Sequence, residues 1–246
     1  MVDDAASNNA RRKSLVEERL EFVGFITGLN TQFRDPKLIR HVGEGWTHPW
    51  KYFDSLRSYL LLTCFDLLGQ PAPYKDFQTW LVAASTRAER VAAFAKVAPE
   101  ASLRDAVAFV HREYLSLYGT KNAFYRFVDE ILPKEACAAL LYSVRIRRID
   151  PHQNREIEVI ESDQDKKAFL YEVRNSYTHS AAITGSPAGG VFPNWGDPIV
   201  IDVVPMRGWE PIHYKDSGEF RIEYSVRKWP TVLIETLEAG LEALTD

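Results

Sequence analysis

Arg174, Asn175 and His179 fall within six consecutive residues, and Glu172 stands two positions before the first of them. The guanidinium of an arginine stays protonated and presents a planar fork that matches phosphate oxygens. An imidazole titrates near neutrality, at about 6.5 when unperturbed, so one histidine can take a proton and return it. An arginine and a histidine on one element therefore suit chemistry on an anionic, phosphate-bearing substrate. Attack of a hydroxyl on a neighbouring phosphate needs that pair of functions and no metal. Glu172, about two helical turns before His179, is placed to orient or tune the imidazole.

One helix must carry these groups. The stretch from Glu161 to Gly185 has both ends marked: Ser162 with Asp165 makes a capping box, and Gly185 with Pro187 beyond it makes a stop. Leu170, Val173 and Tyr177 recur at i, i+3 and i+7, which is one apolar stripe for packing. At about 100° per residue, His179 sits roughly opposite that stripe, with Glu172 and Asn175 near it and Arg174 between the two faces. The same residue types are ordinary on any surface helix, so a solvated outer face is the competing reading. An Arg-x4-His spacing alone carries little, because Arg147 and His152 repeat it across the turn signal Asp150-Pro151.

In its fuller form, Arg174-Asn175-Ser176-Tyr177-Thr178-His179 resembles the R-N-x-x-x-H motif of the HEPN superfamily. These are small helical domains, many of them metal-independent endoribonucleases of toxin–antitoxin, abortive-infection and other defence systems. The resemblance implies a multi-helix bundle in which Arg174 and His179 carry catalysis and Asn175 orients the pair. RNA is then cleaved by its own 2′-hydroxyl, leaving a 2′,3′-cyclic phosphate. It also implies a homodimer that builds one composite site, an antitoxin protein as a possible partner, and no cofactor. The match covers one helix. The chain departs from the shortest family members in its length and in a β excursion near the C-terminus, which could specify a partner or substrate or cover the site.

At 246 residues the chain can form one large domain, and 46% hydrophobic with 26% charged residues is the balance of a globular protein. A formal net charge of −4 gives no global pull towards nucleic acid, so RNA contact must come from a local patch. Cys64 and Cys137 lie in apolar helical patterns and read as buried free thiols in a reducing compartment. The apolar run around residue 60 is too short and interrupted to span a bilayer. The expected location is cytoplasmic, with no membrane partner.

The economical fold is a single, mainly α domain over residues 1–246: a HEPN-like bundle with a small β excursion before the last helix. Residues 1–11 read as a mobile lead-in, and Ser14 with Glu17 opens an amphipathic helix to about residue 30. A loop punctuated by Pro36, Gly43, Gly45 and Pro49 follows, flanked by His41 and His48, which lack partners at zinc-ligand spacing. Trp50 to Leu68 is nearly apolar all round, the pattern of a central buried helix. Further helices are expected at 74–84, 86–97, 102–119, 122–132 and 133–147. Residues 186–228 form a loop and hairpin elaboration, with strands at Ile199–Val204 and Phe220–Val226, and the final helix starts at Pro230.

Arg145, Arg147, Arg148 and Arg155 cluster just before the helix that carries Arg174 and His179. They are either cations at a solvated helix end, favoured by the helix dipole, or an RNA-binding patch that contacts phosphates beside Arg174. His111-Arg112-Glu113 has the H-x-E spacing of zinc deaminases but lacks the paired cysteines, so no metal site is expected. Two further possibilities stand beside the ribonuclease. One is a non-catalytic HEPN-like module for RNA, nucleotide or dimerisation. The other is a helical interaction protein in which the motif is coincidence.

Overall fold

Trp50–Gly69 is the helix around which its neighbours pack, as its all-round apolar character requires. In the computed structural model of the protein, which describes residues 2–25, 50–71, 74–180 and 208–244, the chain is mostly helical with a four-stranded antiparallel sheet. We name Val2–Phe25 α1 and Trp50–Gly69 α2. Three helices follow, α3 (Phe77–Val82), α4 (Arg87–Ala95) and α5 (Leu103–Tyr118). Next come α6 (Thr120–Arg126), continued by a π turn over Phe127–Ile131, and α7 (Lys134–Tyr142). A hairpin of β1 (Val144–Asp150) and β2 (Arg155–Ile160) precedes α8 (Asp163–Ser180). β3 (Glu210–Asp216), β4 (Arg221–Val226) and α9 (Thr231–Ala243) close the described chain.

Leu61, Leu62, Cys64, Phe65 and Leu68 of α2 are all fully buried, in one core with Phe124, Phe127, Leu170, Leu233 and Leu237. At the end of α2, a Cβ on Gly69 would meet the Ala123 carbonyl oxygen at 1.8 Å, so only glycine lets α2 and α6 approach this closely. A second cluster of Trp80, Ala93, Val110, Tyr114 and Tyr118 holds α3, α4 and α5 together. His111 packs edge-on against Phe77 there, with ring centroids 4.8 Å apart, as part of an aromatic group.

Several expected boundaries shift for local reasons. α1 runs from Val2 through the expected lead-in, and Ser14 bonds to Glu18 inside the helix instead of capping one. Thr86 does not cap α4 with its side chain; its hydroxyl donates to the Trp80 carbonyl at 2.7 Å. Ser102 caps α5, its Oγ accepting from the Asp105 N–H at 3.2 Å. The largest correction concerns residues 133–147, expected as one helix: α7 stops at Tyr142 and β1 begins at Val144. Val144 and Ile146 face the core, while Ile149 is buried on the other parity; β1 stays in unbroken register with β4, and the irregularity opposite Arg148 and Ile149 is the skipped Ile157 of β2. The sheet order is β2-β1-β4-β3. β4 pairs with β1 on one side and with β3, over Glu210–Asp216, on the other, and the strand expected at Ile199–Val204 lies outside the described residues. Phe169 of α8 stacks on Tyr224 of β4 at 4.6 Å, which seats the front half of α8 on the sheet.

Candidate functional site

α8 starts as its sequence signals: Ser162 Oγ accepts from the Asp165 N–H at 3.2 Å. Its core stripe is Phe169, Leu170 and Val173, all buried. The Gly185 stop lies outside the described residues, as does the Tyr177 side chain. The helix continues through His179 to Ser180, with the imidazole outside the described side chains. Glu172 is exposed on α8, towards the sheet: burial and then the negative charge of Glu172 raise the Tyr224 hydroxyl above the ordinary tyrosine value.

Arg174, which the helix wheel puts between the two faces, is drawn to the core side. Its guanidinium turns inward to α2, where Nε donates to Asp66 Oδ2 at 2.8 Å and Nη2 lies 2.6 Å from the same oxygen. The Arg174 side chain is 13% exposed and that of Asp66 only 5%. Nη1 of Arg174 donates to Asn175 Oδ1 at 3.1 Å, so the two adjacent motif residues are coupled directly. The turn inward follows from the helix wheel: Arg174 borders the apolar stripe, and a long side chain there can reach a buried acid on the neighbouring helix.

Asp66 itself is the site residue that pattern reading missed. Burial pushes its carboxyl up to about 6, against the opposing pull of the Arg174 and Arg19 cations. Its Oδ1 is buried with no hydrogen-bond partner among the described residues. From α1, Arg19 donates to Thr63 Oγ1 at 2.9 Å and lies 4.0 Å from Cys64 Sγ. Burial raises the Cys64 thiol to about 11, so it is a neutral core group at physiological pH. Three helices thus converge on one buried polar cluster inside an apolar core. A signal was available: Asp66 is the one charged residue in the run Leu60–Leu68, and a buried acid demands a cation.

The arginines before α8 belong to strands, not to a helix end. Arg147 Nε donates to the buried Glu223 at 3.0 Å, and its Nη1 lies 3.2 Å from Glu156. Arg145 pairs with Glu156 at 2.9 Å, and Arg148 with Glu158 at 2.8 Å. Arg155 is exposed at the start of β2, in register with Asp150. Three of the four cations are therefore matched by the sheet's own glutamates, which weakens their pull on phosphates. The repeat spacing of Arg147 and His152 is split between a strand and the turn that Asp150 caps. Arg174 and His179, by contrast, share one helix.

Among the described residues no group of three or more His, Cys, Asp or Glu side chains is placed to hold a metal ion. His41 and His48 lie outside the described residues. Both cysteines are free thiols; Cys64 is buried as expected, whereas Cys137 is only partly buried. Among the described residues no helix is long and apolar enough to cross a membrane. No protein-family model, no curated protein and no solved structure matches the chain.

Proposed function

We propose that the protein is a metal-independent endoribonuclease of the HEPN type, acting in the cytoplasm as a toxin or defence effector. The observation that carries this reading is the Arg174 guanidinium, held by a buried carboxylate and coupled to Asn175, on the same helix as His179. A guanidinium fixed in advance stabilises charge that develops on a phosphate without having to reorganise. In the proposed reaction His179 takes the proton of an RNA 2′-hydroxyl as the 2′-oxygen bonds to the adjacent phosphorus. The bond from phosphorus to the 5′-oxygen breaks, and that oxygen gains a proton, leaving a 2′,3′-cyclic phosphate and a 5′-hydroxyl.

Arg174 faces its own α2, whereas His179 lies roughly 140° round the helix from it. The site is therefore completed by a two-fold pairing of α8 with its copy in a second chain. Light scattering at tens of micromolar should give the mass of a dimer, and a monomer would remove this part of the proposal.

Cleavage of mixed-sequence RNA should persist in excess EDTA, since the proposed chemistry uses Arg174 and His179 alone. DNA of the same sequence should survive, because it lacks the 2′-hydroxyl nucleophile. Loss of cleavage on chelation, restored by added metal, would contradict the mechanism. A second reading, a non-catalytic module that binds RNA or nucleotide, is favoured by one observation: Arg174 is only 13% exposed. It predicts RNA binding that survives His179→Ala and no cleavage at all.

A further inference from the structure

A carboxylate inside an apolar helix bundle needs a reason. The contact between α2 and α8 already has apolar anchors in Phe65, Leu170 and Val173. A well-packed apolar pair in place of a buried ion pair is often neutral or stabilising, so packing alone gives Asp66 no role. What the carboxylate does uniquely is fix a guanidinium. Two N–H groups of Arg174, on Nε and Nη2, converge on the single oxygen Oδ2, which sets both the plane and the roll of the fork. Asn175 Oδ1 engages the other terminal nitrogen, Nη1. The side chain is thereby held at both ends of the guanidinium by groups from two helices.

We infer that Asp66 is the positioning residue of the proposed site, the group that holds Arg174 in the orientation from which its guanidinium serves the reacting phosphate. The inference rests on the ribonuclease reading above. Asp66 acts through Arg174 and touches no substrate, so its removal should lower turnover with little effect on RNA affinity. Misplacing a transition-state contact by about 1 Å costs on the order of 10²-fold in rate.

The charged and polar groups described around Asp66 come from three helices. They are Arg19 of α1, Cys64 of α2 itself, and Arg174 with Asn175 of α8. α6 adds Arg126, which donates to the Gly69 carbonyl further along α2, and α9 adds apolar side chains to the same core. Only the carboxyl among these titrates just below neutrality, being raised to about 6.

The test measures cleavage of mixed-sequence RNA in EDTA, by wild type, Asp66→Asn and Asp66→Glu, across about pH 5 to 8, with RNA affinity read by fluorescence anisotropy. In wild type two groups, Asp66 and the His179 base, must both be deprotonated, so the logarithm of rate should fall on the acid side with a slope approaching about two. Asp66→Asn should lose roughly 10²-fold in kcat, keep its RNA affinity, and show an acid slope near one; Asp66→Glu should recover part of the rate. A folded Asp66→Asn protein with wild-type kcat and an unchanged pH profile would overturn the inference and leave the ribonuclease reading intact. Where Asp66→Asn does not fold, Asp66→Glu decides: a folded Asp66→Glu protein with wild-type kcat and an unchanged pH profile overturns the inference. A wild-type protein that cleaves no RNA overturns the ribonuclease reading and this inference together.

Discussion

Arg174→Ala should destabilise the protein by about 3–5 kcal/mol, because it strips the counter-charge from a carboxylate whose side chain is 5% exposed. A surface arginine would cost less than about 0.5 kcal/mol. The loss should be smaller at acid than at alkaline pH. Arg174 is one of the cations that lower the Asp66 carboxyl, so without it the acid takes up a proton more readily and sheds its buried charge. The double variant Asp66→Leu with Arg174→Met should recover most of the stability, since neither charge is then left alone. Denaturant unfolding at several pH values reads all of these. A near-zero cost for Arg174→Ala at alkaline pH would mean that the pair does not form.

Wild type carries a pH signature of the same pair. The folded-state carboxyl of Asp66 sits at about 6, above its ordinary value of 3.8, so the folded protein holds the extra proton between those values. The associated stability is fully present below the ordinary value and is lost as pH rises through about 6. It amounts to roughly 3 kcal/mol. The same unfolding series on Asp66→Asn should lack that component.

α8 was legible in the sequence because its signals are local. Ser162 caps its start, and Leu170 and Val173 mark its buried face. α2 was legible for a similar reason, since an all-round apolar helix can only be central. The hairpin of β1 and β2 was not, although Val144 and Ile146 alternate with arginines. Arginine is a good helix former, α7 runs directly up to the strand, and Ile149 falls outside the two-residue period that Val144 and Ile146 set. β4 was read correctly because Ile222, Tyr224 and Val226 keep that period without a break. At the site, Arg174 could be picked by type and spacing, but its burial could not. Its partner Asp66 lies 108 residues away, and no local pattern links the two. The strand arginines show the converse: four cations close in sequence look like a patch until the fold sets Glu156, Glu158 and Glu223 against three of them.

His179→Ala should lower RNA cleavage by about 10²–10⁴-fold while leaving folding and RNA affinity nearly unchanged, because it removes a proton-transfer group. Arg174→Ala would lower activity and stability together, so His179 gives the cleaner separation of chemistry from folding. The decisive measurement is to incubate purified wild type and His179→Ala with mixed-sequence RNA in excess EDTA and to identify the product ends. The account predicts 2′,3′-cyclic phosphate and 5′-hydroxyl ends from wild type, and their near disappearance with a His179→Ala protein that still binds RNA and melts normally. Intact RNA with wild type, or equal cleavage by the two proteins, would contradict it.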